Sequence, residues 1–335
     1  MIIDAYCHFA PNRFFREYVK SQLPKLIRFY DIQGGPESSH IWSEEERIKI
    51  MDRHHIDVEA VSIAYRPIWL TVPESDQFRL TRIANDSIAE VVKKYPERMV
   101  GVGMLPTLAG EAIDELDRMI KDLGMKGCLI SSNIRGKPLD SPEFSQFYDR
   151  MARYDLPIWI HPTNWKFYEW INEYDLLRAF GWPFDSSLAM ARIVFGGILQ
   201  KHPNLKIITH HTGAMVPFFA NRVKQFYDEA TAGDGGLQNT MFPNAGRMKD
   251  LDILDYFRKF YADTILNGLD SALRCGYDFF GADHLLFATD FPNGPERGEP
   301  QIKETIRSVN ALDVPAEAKE KIFYRNAARI LKLAV

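Results

Sequence analysis

Hydrophobic positions along this chain fall into two alternating rhythms. Short apolar or β-branched runs recur at about residues 1–6 (MIIDAY), 58–64 (VEAVSIA), 99–105 (MVGVGML), 127–132 (GCLISS), 157–162 (PIWIHP), 206–211 (KIITHH), 260–263 (FYAD) and 285–290 (LLFATD). These runs are too short for core helices and most are bounded by Gly, Pro or charge, so they read as strands. Between them, apolar residues return at helical spacing, which predicts helices over 44–55, 76–95, 111–123, 142–154, 186–201, 216–229, 269–280 and 316–333. Ser43 with Glu46 forms a capping box at the first of these, and Gly124 is a normal stop for the third. Alternation of strands and helices predicts a parallel sheet with helical crossovers. Eight such strands is the number that closes a (β/α)8 TIM barrel. A doubly wound dinucleotide fold would need GxGxxG after an early strand, and that motif is absent.

Three stretches depart from the rhythm. Residues 10–42 and 163–183 are long and aromatic, and 229–250 is rich in Gly and Asn with no clear period. The chain has 335 residues, more than the roughly 250 of a plain barrel. The surplus sits in these three insertions, so a single barrel domain over 1–335 is expected, with the first two insertions roofing its mouth. Hydrophobic residues make up 46% and charged residues 26%, with net charge −4. That balance excludes a disordered chain and removes the usual reason to expect a nucleic-acid partner. No apolar run approaches the ~18–20 residues of a membrane span, and the N-terminus turns polar too soon for a signal peptide. The three cysteines, Cys7, Cys128 and Cys275, match no disulfide framework or zinc ribbon. A cytoplasmic enzyme is the expectation.

The chemistry clusters at one end of the predicted barrel. His8, His161, His210 and His211 all fall at strand C-terminal ends, and Asp263 and Asp290 end the last two strands. This is the face on which barrel enzymes carry their active sites. Strand alternation puts Asp4, Tyr6 and His8 on one face of the first strand, with Ala5 and Cys7 on the other. It also makes His210 and His211 point oppositely, so that only one of the two faces the pocket. Each histidine alone has a structural reading; the joint placement of His8, His161, His211 and Asp290 favours a site.

At these residues the sequence becomes familiar. The ordered segments MIIDAYCHF, ERIKIMDRHHIDVEAVSI, NDSIAEVVKKYPERMVGVGMLP, GMKGCLISSNIRGKPLDSPEF, LPIWIHP, GWPFDSSLAMARIVFGGILQKHPNLKIITHHTGAMVP, LLFATDFP and NAARIL span nearly the whole chain. Together they resemble the amidohydrolase-related family of metal-dependent decarboxylases and hydrolases typified by aminocarboxymuconate semialdehyde decarboxylase. The resemblance implies that His8, His161 and Asp290 hold a divalent metal, zinc first and manganese as the alternative. His211 fits the family's H-x-G-x-x-x-P pattern with Gly213 and Pro217, which implies that it is the catalytic histidine, working with Asp290. Arg222 matches an arginine that lies near the site in relatives. Arg222 or Arg13 would pair with a substrate carboxylate, and Trp165 with its aromatic neighbours would cover the apolar face of the substrate.

Tyr6 is the departure: the family carries His or Glu there as its first ligand. Three outcomes are open. The metal is held by His8, His161 and Asp290 with water, Tyr6 coordinates as a phenolate, or the site lacks metal and Tyr6 hydrogen-bonds substrate. The expected activity is decarboxylation of a small aromatic or unsaturated carboxylic acid. Hydrolysis of a lactone or similar carboxylate compound is the alternative, and a non-catalytic ligand-binding barrel is the second. A homodimer is implied only by relatives that pair.

Overall fold

A computed structural model of the chain describes residues 1–21, 43–63, 68, 72–163, 169–231 and 252–334. Its parallel strands are β1 (Ile3–His8), β2 (Val58–Ser62), β3 (Met99–Gly101), β4 (Gly103–Met104) and β5 (Cys128–Ser131). After a small antiparallel hairpin of β6 (Asn133–Ile134) and β7 (Lys137–Pro138) come β8 (Pro157–His161), β9 (Lys206–Thr209), β10 (Tyr261–Asp263) and β11 (Leu285–Leu286). Hydrogen bonds order them β1-β2-β3 and β11-β10-β9-β8-β5-β4. Only Val102 separates β3 from β4, and its amide donates to Val61 O at 3.0 Å, so these two strands share one place in the ring.

The ring closes between the last strand and the first. Ala5 N donates to Phe287 O (2.8 Å), Asp290 N to Tyr6 O (3.1 Å) and His8 N to Phe291 O (2.7 Å). The fold is therefore the expected TIM barrel, and the described part of each predicted strand falls on or beside an observed one. Its interior is filled by Ile3, Val100, Leu129, Trp159, Ile208 and Leu286 with their neighbours. Trp159 crosses the lumen to donate its indole N–H to Ala5 O at 2.8 Å. A second, larger apolar layer joins the strands' outer faces to the helices.

Local sequence explains the helix that positions the first strand pair. Helix Glu44–His54 begins at Ser43, whose hydroxyl accepts from the Glu46 amide at 3.3 Å. That satisfies one of the four amides left open at a helix start. It ends at His55 in the left-handed conformation (φ 57°), with the His55 amide turned back onto Asp52 O and Met51 O. Among the described residues no helix is long and apolar enough to cross a membrane.

One register expectation needs correction. The pairing of β1 with β2 shifts between Asp4 and Cys7, the mark of a bulge. Ala5 and Tyr6 consequently both pack into the barrel interior, while Asp4 sits opposite Glu59. Asp4 thus leaves the face it was expected to share with Tyr6. Strict alternation cannot see a bulge.

Candidate active site

The C-terminal mouth of the barrel gathers four side chains from four strands. His8 ends β1, His161 ends β8, His210 follows β9, and Asp290 follows β11. His8 Nε2 lies 2.8 Å from Asp290 Oδ1, and His210 Nε2 lies 4.0 Å from the same oxygen. The His8 and His161 rings are 5.5 Å apart between centroids, and those of His161 and His210 are 5.6 Å apart.

Hydrogen bonds fix which nitrogen each imidazole turns inward. The Ser62 hydroxyl donates its one hydrogen to Cys7 O (3.2 Å), so in its 3.1 Å contact with His8 Nδ1 the oxygen must accept. His8 therefore carries its proton on Nδ1 and presents a bare Nε2. His161 is set the same way, because Nδ1 faces the carbonyl of Pro162 at 2.8 Å and a carbonyl only accepts. His210 donates Nδ1–H to Asp263 Oδ2 at 2.6 Å.

The contact between His8 and Asp290 then has a chemical meaning. Burial holds the His8 imidazole below its ordinary value, against the pull of Asp290. Burial also works against the Asp290 carboxylate, yet His8, His210 and His161 together keep it ionised, well below the usual range. A neutral nitrogen lone pair thus faces a carboxylate oxygen, and in their buried positions His8 Nε2 and Asp290 Oδ1 have no hydrogen-bond partner beyond each other. Two acceptors this close need a cation between or beside them. The donor set fits a divalent metal.

His161 is pushed down to about 3, by burial first and then by His8 and His210. His210 moves the other way, since Asp263 more than offsets the cost of its burial. His211 is held well below its ordinary value by burial and by His210. Its ring lies 4.0 Å from that of His210, and its buried Nδ1 has no hydrogen-bond partner. The expectation that only one of these two faces the site is corrected here. Strand β9 stops at Thr209, and His211 enters a turn with φ of 56°, which ends the alternation and brings both rings into the cluster. Asp263 holds that turn by accepting from the amides of His211 (3.1 Å), Thr212 (2.8 Å) and Ile265 (3.1 Å).

Tyr6 does not fill the place of a ligand. Its hydroxyl donates to Ile160 O at 3.2 Å, and its ring packs against His210 at 4.6 Å with 1% of the residue exposed. Burial, with Asp263 and Asp290 nearby, pushes the phenol well above its ordinary value. A phenolate ligand and a hydroxyl free for substrate are both disfavoured.

The two arginines lie elsewhere. Arg13 is half exposed and paired with Glu90 on helix Glu74–Lys94. Arg222 is exposed and stacks on Phe226 at 4.8 Å. It lines an apolar groove with Phe184, Leu188, Phe195, Met215 and Phe219, and none of the converging His or Asp side chains borders that groove. Long side chains find local partners that sequence position does not reveal. Trp165 lies outside the described residues. From the same aromatic stretch, Trp182 meets the site with its ring 5.9 Å from that of His161, whereas Trp170, Tyr174 and Phe180 are exposed.

A second polar group, Asp4, Cys7 and Glu59, is buried with its ligand atoms within 4.8 Å of one another. Glu59 pairs with the fully buried Arg47, and Asp4 accepts from Thr289 and from the Tyr6 amide. Those partners account for it structurally.

The family model described as amidohydrolase matches residues 3–333. The chain belongs to the amidohydrolase family. Among curated relatives, 2-amino-3-carboxymuconate-6-semialdehyde decarboxylase of Dictyostelium discoideum is 28% identical over 296 residues, covering 88% of this chain and 78% of that protein. Gamma-resorcylate decarboxylase of Polaromonas sp. strain JS666 is 28% identical over 309 residues, covering 87% of each. A solved dihydroxybenzoic acid decarboxylase from Polaromonas sp. JS666, with bound manganese and the inhibitor 2-nitroresorcinol, superposes with a TM-score of 0.77. It is 23% identical and covers 99% of this chain and 96% of its own. These relationships place the chain among the carboxy-lyases of the amidohydrolase superfamily.

Proposed function

We propose that this amidohydrolase is a divalent-metal-dependent decarboxylase of a small hydroxylated aromatic carboxylic acid. The observation that carries the metal is the bare His8 Nε2 facing Asp290 Oδ1 at 2.8 Å. Decarboxylation rather than hydrolysis is supported by the relatives, whose names are those of decarboxylases. His8, His161 and Asp290 would hold the ion. When bound, it supplies Lewis acidity to the substrate's carboxylate or neighbouring hydroxyl and offsets their charge.

The chain's own residues supply the proton. A bound carboxylate favours the charged form of a nearby imidazole, so substrate binding raises the proton affinity of His211. His211 then donates its proton to the ring carbon that carries the carboxylate. The bond from that carbon to the carboxylate breaks, its electron pair restores the aromatic ring, and carbon dioxide departs. Solvent returns a proton to His211, which balances the consumption of one proton per turnover. Trp182 stands edge-on to His161, where it can pack against the substrate's ring.

Imidazole donors suit zinc, while manganese is the ion of the Polaromonas neighbour. Metal analysis of protein purified without added metal distinguishes them. A panel of hydroxybenzoates and lactones tests the reaction: carbon dioxide release from the acids is expected. Acid release from a lactone, with no carbon dioxide from any acid, would overturn the assignment. His211→Asn should lower kcat by ~10²–10⁴, the usual worth of a general acid, with the metal retained. Loss of the metal in that variant would make His211 a ligand instead.

A further inference from the structure

We infer that His210 is a metal ligand in this chain, taking over from the strand-1 donor that Tyr6 cannot supply. This rests on the metal-dependent reading above and goes beyond it, because His210 lies outside the H-x-G-x-x-x-P pattern, which begins at His211. Four observations converge.

The place next to residue 6 is occupied by His210: the Tyr6 ring, its hydroxyl committed to Ile160 O, lies 4.6 Å from the His210 ring. His210 presents Nε2 to the cluster, 4.0 Å from the Asp290 oxygen that also meets His8. Its ring keeps nearly the same spacing to His161 (5.6 Å) as His8 does (5.5 Å). Lastly, its Nδ1–H is given to the Asp263 carboxylate at 2.6 Å.

The last observation has a known logic. A histidine that ligates a metal nearly always passes its other ring N–H to a carboxylate, a carbonyl or water, which fixes the ring and raises its basicity. His8 and His161 have their outward nitrogens tied to Ser62 and Pro162, and His210 has the strongest such partner of the three. Asp263 is itself anchored by three backbone amides, so it holds the ring in place rather than following it. The adjacent histidines then divide the work. His210 binds the ion and His211, with its unpartnered Nδ1, remains free to carry the proton.

Titration of Mn²⁺ or Zn²⁺ by calorimetry, with metal content measured after gel filtration, tests the assignment. The native protein should bind one ion in the site. His210→Gln should weaken binding by more than the ~10–100-fold that loss of an outer partner costs, and Asp263→Asn should fall within that range. Tyr6→His introduced into the His210→Gln variant should restore affinity by far more than it raises that of the native protein, because only the variant lacks a ligand; equal gains in both backgrounds would mark a structural role for His210. A folded His210→Gln protein that binds like the native one, or a loss that Tyr6→His leaves unchanged, overturns the inference. Should His210→Gln fail to fold, X-ray absorption of the native metal-loaded protein decides: three imidazoles support the assignment and two reject it. Failure of the native protein to bind any divalent ion defeats both this inference and the metal-dependent reading, whereas unaltered binding in His210→Gln defeats this one alone.

Discussion

At the scale of single residues, Tyr6 separates what the sequence reveals from what it hides. His8, His161 and Asp290 are legible because each stands at or just past the end of a strand, and strand ends in a barrel share one mouth. The setting of the neighbours of Tyr6 is not, because the bulge between Asp4 and Cys7 turns Ala5 inward beside Tyr6 and sets Asp4 opposite Glu59. Nor is the presence of His210, since the alternation that would separate it from His211 ends one residue too early. A test follows from the single hydrogen bond of the phenol to Ile160 O. Tyr6→Phe removes that bond alone and should cost ~0.5–1.5 kcal/mol in stability, read from denaturant unfolding. Its metal affinity should equal that of the native protein. A steep loss of metal would make the Tyr6 oxygen a ligand after all.

At the scale of elements, the strands were easier to read than the helices beyond them. Helix Glu299–Ala311 follows FPNGPERG, a run of Pro and Gly that reads as a loop, and helix Ile253–Arg258 has six residues, too few to display a period. Helix Asn12–Ser21 lies within the long first insertion, of which residues 22–42 fall outside the described part. The decisive element for chemistry is neither strand nor helix but the turn from His211 to Ala214, all of it at positive φ. Gly213 sits there at φ 77°, and a Cβ added to it would come within 2.6 Å of the Phe280 ring. Only glycine satisfies both constraints. Gly213→Ala should therefore lose ~1–2 kcal/mol from backbone conformation alone, with a further loss from displacement of the buried Phe280. Because His211 lies in the same turn, kcat should fall further than the folded fraction accounts for. Native thermal stability together with native kcat would show that the turn tolerates a side chain.

At the scale of the whole molecule, the barrel must close where its first and last strands meet, and the site straddles that seam through His8 and Asp290. Like the Asp4–Thr289 contact, Arg47 spans it. It extends from helix Glu44–His54, pairs with Glu59 of β2 in full burial, and donates Nη1–H to His8 O at 2.7 Å. Its guanidinium also lies over Phe9 (5.3 Å) and Phe291 (4.8 Å), just beyond the first and last barrel strands. On the outside, Glu299 receives Arg53 at 2.7 Å and His54 at 2.9 Å, a partly exposed tie that contributes little by comparison. The buried pair is different. Removing one partner strands the other charge in the interior, so Arg47→Met should cost ~3–5 kcal/mol, whereas replacing both partners with apolar residues is often neutral. Arg47→Met combined with Glu59→Leu should then recover most of the stability lost by either single change. Metal affinity separates two roles for the pair. If Arg47 serves only packing, the stabilised double variant binds metal like the native protein. If its bond to the His8 carbonyl also sets the ligand that β1 presents, affinity stays reduced after stability has returned. The second outcome is expected, because Arg47 is the residue that joins helix, β2 and the His8 backbone at the one place where closure of the fold and assembly of the site coincide.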